Sequence, residues 1–337
     1  MINKSIFDNY NGQEIYKYTL SDDKLQADVI TFGATVTALR VNTGDKWVDV
    51  ALGFKSVTDQ IAKGDYMGAI AGRCANRIED GKFTLNGVQY QLATNNGTNH
   101  LHGGMEGFDK KIYSDSTEEG KLLLRYYSKD GDQGYCGNVD FTVVYSVEDG
   151  ALNIEYRAVS DKDTLFNVTN HLYFNLNGES DGSILDNMLS INADSYTPDR
   201  PNLIPTGELA SVAGTPFDFT VFKAIGQDIN ADDEQLKIAG GFDHNFCLNS
   251  NHAATAYSVK TGIVMDVYTD LPGVQFYSGN FLSGNVGKSC YKRNSGFCLE
   301  TQKYPNAINQ PNFPSVVLKA GEKFVSKTSY KFTLRNK

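Results

Sequence analysis

The sequence predicts an all-β protein, a single large antiparallel β-sandwich, and three observations carry that expectation. Aromatic residues make up 12 %, with 19 Tyr and 19 Phe, while 32 Gly and 8 Pro supply turn positions, a composition suited to many strands joined by tight turns. Apolar and polar residues alternate at period two, most plainly in 82–85 and 88–92 on either side of Asn86-Gly87. Asn-Gly is the pair that tolerates the two positive φ angles of a type I′ hairpin turn. The third observation is that helical stripes are scarce. At 337 residues the chain fits one large β domain, and no linker-like composition shift or fixed-period repeat divides residues 1–337.

Taken in order, residues 14–20 and 25–41 read as two antiparallel strands around Gly33, 47–52 as a short strand and 56–63 as a short helix. After the 82–92 hairpin, strands are expected at 121–128, 139–147 and 152–160, with Asp149-Gly150 turning the last pair. Further strands are expected at 164–176, 190–195, 245–248, 256–259, 263–269, 274–277, 316–319 and 324–334. Weak helical turns are conceded only at 221–225 and 233–237.

Net charge is −9 and the pI is near 5.1. With no run of Lys or Arg, this argues against a nucleic-acid partner. The start Met-Ile-Asn-Lys-Ser-Ile-Phe-Asp lacks a basic segment followed by an apolar one, and no apolar run has membrane-spanning length, so no membrane partner and a cytoplasmic location are expected. Five cysteines, Cys74, Cys136, Cys247, Cys290 and Cys298, are scattered without a Cys-x-x-Cys pair, which predicts reduced thiols. No dinucleotide fingerprint, Walker loop, Gly-x-Ser-x-Gly or His-Glu-x-x-His is present, and the chemistries that use them lose their support.

Chemistry-bearing residues stand in apolar company at several places. Glu300 follows Phe-Cys-Leu in a run flanked by Gly296 and Pro305, a setting that suits a general base more than a surface charge. Two imidazoles are candidates for the matching acid: His102, followed by Gly103-Gly104, and His171, within Asn167-Val-Thr-Asn-His-Leu-Tyr173-Phe. In an extended backbone His100 and His102 would share a face and could begin a metal site, but no motif offers a third ligand, so no metal is expected. For Arg73 and Arg77, near Asn76, a buried ion pair and a ligand contact are equally open. Asp243 in a Gly-rich bend and Gln275 in an apolar strand complete a set of convergent polar groups among aromatics, as a sugar pocket needs.

These segments, in their order, resemble the aldose 1-epimerase (galactose mutarotase) family. The resemblance is carried by Gly72-Arg-x-Ala-Asn-Arg77-Ile, Leu101-His102-Gly-Gly, Asn167-x-Thr-Asn-His171-x-Tyr173-Phe-Asn-Leu, Gly241-Phe-Asp243-His, Gly273-Val-Gln275-Phe-Tyr and Cys298-Leu-Glu300-Thr-Gln302, with Asn309-Gln-Pro-Asn-Phe-Pro314 after them. It implies a galactose-mutarotase-like supersandwich and an isomerase acting on free aldoses such as galactose and glucose, as a monomer or homodimer and with no metal or organic cofactor. It also implies that Glu300 takes the proton from the sugar's C1 hydroxyl while His171 protonates the ring oxygen. Asn76, Arg77, His102, Tyr173, Asp243 and Gln275 would hold the hydroxyls. Two departures are small: Thr98 stands where Pro is common, and His100 occupies a variable position. The rival expectations are a hexose-6-phosphate 1-epimerase and a non-catalytic carbohydrate-binding sandwich.

Overall fold

The computed structural model describes residues 1–335. The N-terminal sheet is a five-stranded antiparallel meander in chain order, from Ile2–Tyr10 through Gln13–Ser21, Leu25–Ile30 and Val36–Asn42 to Trp47–Asp49. A nine-stranded sheet is built around the ten-residue pair Val139–Glu148 and Ala151–Ser160, with Lys323–Leu334 and Ile263–Thr269 continuing it on one side and Lys121–Ser128 on the other. A six-stranded sheet runs in the order Tyr173–Phe174, Phe297–Gln302, Gly273–Tyr277, Asp243–Cys247, Ser195–Thr197 and Ala210–Ser211. The strand pairings within these sheets are antiparallel, as the composition predicted.

Turn chemistry explains the hairpins. Asn86 and Gly87 take φ of 51° and 77° between Lys82–Leu85 and Val88–Gln91, and Asp149 and Gly150 take 49° and 72°, both positive as a type I′ turn requires. Period-two burial fits the long strands to the core. In Ile263–Thr269 the side chains of Ile263, Met265 and Val267 are buried while their neighbours are not. The nine- and six-stranded sheets meet where Tyr330 packs on Phe174, 5.0 Å between rings, and donates its hydroxyl to Leu299 O at 3.0 Å.

The strand Phe297–Gln302 lies between that core and the functional cleft, so it is buried along its whole length. Phe297 and Leu299 join the main hydrophobic core, and Thr301 shares a hydrogen bond with Thr328 of the nine-stranded sheet. Each of the two apolar side chains contributes about 1.5–3 kcal/mol by burial. By alternation Cys298, Glu300 and Gln302 point to the opposite face.

The structure departs from expectation where local pattern is silent about partners. Ile2–Tyr10 is an additional edge strand. The expected strand 25–41 is broken in two, because Gly33 and Ala34 turn through φ of 63° and 46°. A Cβ on Gly33 would stand 2.3 Å from Asp109 O, so close approach as well as turning requires glycine. Residues 164–176 form three two-residue pairings instead of one strand, each with a different partner: Val317–Leu318, Ile70–Ala71 and Phe297–Cys298. The turn expected at 221–225 is the short strand Lys223–Ala224. The one at 233–237 is the helix Glu234–Ala239, capped by Asp233, whose carboxylate accepts from Gln235 N and Leu236 N. Val57–Lys63 is helical as predicted, with Ser56 as its cap.

All five cysteines are free, and four are buried. Among the described residues no helix is long and apolar enough to cross a membrane.

Candidate active site

A cleft of about 490 Å³ opens over the six-stranded sheet and gathers residues from eight segments of the chain. Asn76, Arg77, His102, His171, Tyr173, Asp243 and Glu300 line it, seven of the eight side chains singled out from sequence. Gln275 stands one layer back, where its Nε2 donates to Asp243 Oδ1 at 2.8 Å and its Oε1 accepts from Gln302 Nε2 at 3.0 Å. It orients the carboxylate that the cleft presents.

Local backbone geometry aims these groups. Asn76 and His102 both have left-handed φ, 60° and 49°, rare for residues with a Cβ and found where the surrounding structure holds them. The two turns are tied together, since His102 N donates to Asn76 O at 3.1 Å and Asn76 N donates to His102 Nδ1 at 3.2 Å. The left-handed turn also overturns the expectation that His100 and His102 share a face. His100 points into a separate core, where its Nδ1–H donates to Ala93 O and its Nε2 accepts from the Tyr135 hydroxyl, both at 2.7 Å.

Arg73 and Arg77 divide in the same way. The Arg73 guanidinium is buried and makes six hydrogen bonds, four of them to the backbone oxygens of Cys136, Gly137, Ser128 and Lys129 and two to the Thr164 and Ser128 hydroxyls. Among the described residues it is neither in an ion pair nor at the cleft, so both readings open for it are corrected. Bonds to a charged donor are worth about 1.5–3 kcal/mol each and offset much of its desolvation, which still holds the guanidinium below its usual pKa. Arg77 instead uses Nε to reach Asn96 Oδ1 at 3.0 Å and faces the cleft.

The central pair is His171 and Glu300, with Nε2 to Oε1 at 3.6 Å and both side chains almost wholly buried. That distance is long for a hydrogen bond. Glu300 Oε2 is a buried oxygen without a partner among the described residues, an atom left for a ligand to satisfy. Burial, then the charge of Asp243, pushes the Glu300 carboxyl well above its usual range against the pull of Arg77. Burial lowers His171 to about 4. Burial also lowers His102, helped by the charges of His171 and Arg77, and it raises Asp243 against Arg77 and Gln275. Burial thus shifts both members of the central pair towards their uncharged forms, a carboxylic acid and a neutral imidazole.

The fold supplies His102 with the companions that no motif announced: ligand-capable atoms of His102, His171 and Glu300 lie within 4.8 Å of one another. The tautomer decides what they suit. Nδ1 of His102 accepts from Asn76 N, so the proton of the neutral ring is on Nε2, which is then a donor for a hydroxyl and has no lone pair for a cation.

A model of the aldose 1-epimerase family matches residues 16–331. The chain belongs to the aldose 1-epimerase family. It is 44 % identical over 328 residues to galactose mutarotase of Bos taurus, covering 95 % of this chain and 94 % of that protein. It is 37 % identical over 335 residues to aldose 1-epimerase of Escherichia coli strain K12, with 96 % of each covered. The crystal structure of galactose 1-epimerase from Lactobacillus acidophilus NCFM superimposes with a TM-score of 0.88 at 30 % identity, covering 100 % of this chain and 99 % of that one. The family's fold is this fold, and its isomerase activity, the interconversion of the two anomers of an aldose, is the activity of this chain.

Family motifs account for most of the cleft, but not for Tyr66, which lies against both imidazoles, nor for Asp65, Asn95, Asn96, Leu203 and Phe281. Nothing in the local pattern around these positions marks them. A larger hollow of about 610 Å³ lies on the open face of the nine-stranded sheet and includes Glu155, Asp270 and Lys327. There Lys327 pairs with Glu155, and Asp270 accepts from the Ser326 hydroxyl.

Proposed function

We propose that Glu300 and His171 carry out the anomerisation as base and acid on a free hexose of the galactose and glucose class. The observation behind this reading is their approach to 3.6 Å inside the cleft, with Glu300 Oε2 left unpartnered. Glu300 removes the proton from the C1 hydroxyl as His171 delivers one to the ring oxygen, and the bond from C1 to the ring oxygen breaks. The aldehyde turns about C1–C2. On reclosure His171 takes the proton of the C5 hydroxyl and Glu300 returns one to the carbonyl oxygen, giving the other anomer and restoring both groups. Holding both reacting oxygens beside one acid and one base supplies the orientation that free solution lacks.

Asn76, Arg77, His102 and Asp243 hold the remaining hydroxyls, with Gln275 steadying Asp243 and Tyr173 packing beside His171 at 5.0 Å. Among the described residues Arg77 is the one Lys or Arg side chain lining the cleft, and Asp65, Asp243 and Glu300 line it too. A phosphate dianion would meet a single cationic side chain there, which favours a free aldose over a hexose 6-phosphate. We read the chain as one catalytic domain, monomeric or homodimeric and, given its free cysteines, cytoplasmic. Light scattering reads the oligomeric state directly; a tetramer would contradict this assignment. Polarimetry on freshly dissolved α-D-galactose and α-D-glucose tests the activity. Equilibration no faster than in buffer would sink the reading.

A further inference from the structure

We propose that Tyr66 is a positioning residue that stabilises the imidazolium form of His171 by presenting a second ring face beside that of Tyr173. The inference rests on His171 being the acid of the reaction. Two tyrosine rings lie nearly parallel to its imidazole, Tyr173 at 5.0 Å and 21°, and Tyr66 at 5.9 Å and 22°. Both centroids are within the range over which a ring face attracts a cation. Tyr66 also leans on His102, at 4.6 Å and 52°.

The backbone shows that this placement is built. Asp65 and Tyr66 are consecutive left-handed residues, φ 66° and 53°, a conformation that large side chains adopt only when held. The same turn is bonded to His171 itself: Gly68 N donates to His171 O at 2.8 Å, and His171 N donates to Ala69 O at 2.9 Å. The Tyr66 ring and the imidazole are thereby fixed to one scaffold.

The need for such a face follows from the protonation states. Around His171 stand Glu300, Cys298 with Sγ 3.6 Å from Nδ1, His102, and the two tyrosines, with Asp65 on the cleft wall and Asp243 and Arg77 beyond Glu300. Burial keeps Cys298 and Tyr173 protonated and uncharged. Burial shifts this pair towards its uncharged form, a carboxylic acid and a neutral imidazole. The productive pair, carboxylate and imidazolium, contains the same number of protons with one of them moved. Its population depends on the gap between the two groups, and each unit by which the gap narrows raises it about tenfold. A ring face that favours the imidazolium narrows the gap without adding charge.

The test compares Tyr66→Leu and Tyr66→Phe, together with replacement of Tyr66 by pentafluorophenylalanine, which keeps the ring's shape and removes its negative face. In Tyr66→Leu the plateau of kcat/KM for galactose is expected to fall about 5–10-fold, and the limb governed by His171 to move to lower pH by up to about one unit. Tyr66→Phe should stay within about twofold of the wild type, and the fluorinated ring should behave like Leu. A second readout needs no turnover: nitrogen NMR of the histidine rings in sugar-free protein should show His171 titrating at lower pH in Tyr66→Leu and in the fluorinated protein. An unmoved His171 titration in the fluorinated protein overturns the proposal, and so does a Tyr66→Phe loss as large as that of Tyr66→Leu. An inactive wild type with the NMR shift intact would refute the acid role of His171 and leave the ring effect standing.

Discussion

Two regions built from the same short motifs treat buried polar groups in opposite ways. In one, Arg73 and His100 have found partners within the protein: six hydrogen bonds from the two terminal nitrogens of the guanidinium, whose Nε alone is left over, and one to each ring nitrogen of the histidine. In the other, four and two residues further along, Arg77 and His102 turn to a cleft where Glu300 Oε2 has no partner and His171 stands 3.6 Å from Glu300. A satisfied buried group stabilises the fold; an unsatisfied one costs stability and persists where something else will complete it. Residue type alone does not separate the two classes, whereas the hydrogen-bond inventory does.

Substitutions on each side of that divide should fail in different ways. The largest effect on rate belongs to the cleft. Glu300→Gln and His171→Asn should each lower kcat by about 10²–10⁴, while sugar binding followed by calorimetry persists. Near wild-type turnover in either would remove the acid–base assignment. Glu300→Gln should also change the pH dependence of stability. Because the folded carboxyl titrates above its unfolded value of about 4.3, the wild type loses stability as pH rises from there through the folded value. The amide variant should lack that loss, and a Tm that falls with pH as in the wild type would contradict it.

The largest effect on stability belongs to the satisfied region. Arg73→Met strands several buried oxygens, each costing about 1–3 kcal/mol. The chain should unfold at clearly lower denaturant, while kcat per folded molecule is kept. A full loss of rate with unchanged stability would place Arg73 in the machinery after all. The smallest effect is expected between the regions, at Gln275→Met. Losing one bond to Asp243, worth about 0.5–1.5 kcal/mol net, should raise KM several-fold and leave kcat nearly unchanged, as initial-rate polarimetry will read.

Much of this was legible beforehand, because hairpins and alternation are local. Asn86-Gly87 and Asp149-Gly150 announced their turns, and Ile263–Thr269 begins and ends where its pattern does. What local pattern could not disclose was pairing between distant segments. Residues 164–176 read as one strand because each apolar residue suits a strand, yet three partners from remote parts of the chain divide them. The left-handed turn at His102 was equally hidden, although Gly103-Gly104 hinted at a bend. Family resemblance named seven residues that line the cleft and was silent on Tyr66, whose ring only the fold brings beside two imidazoles.

The strand Phe297–Gln302 interleaves core and cleft residues along six positions. Slipping it by a single place would push a carboxylate into the hydrocarbon interior and offer leucine to the sugar, so misregistered molecules would be eliminated as unstable before they could persist as idle enzyme. Quality control of the fold and quality control of the reaction are in this segment one and the same selection.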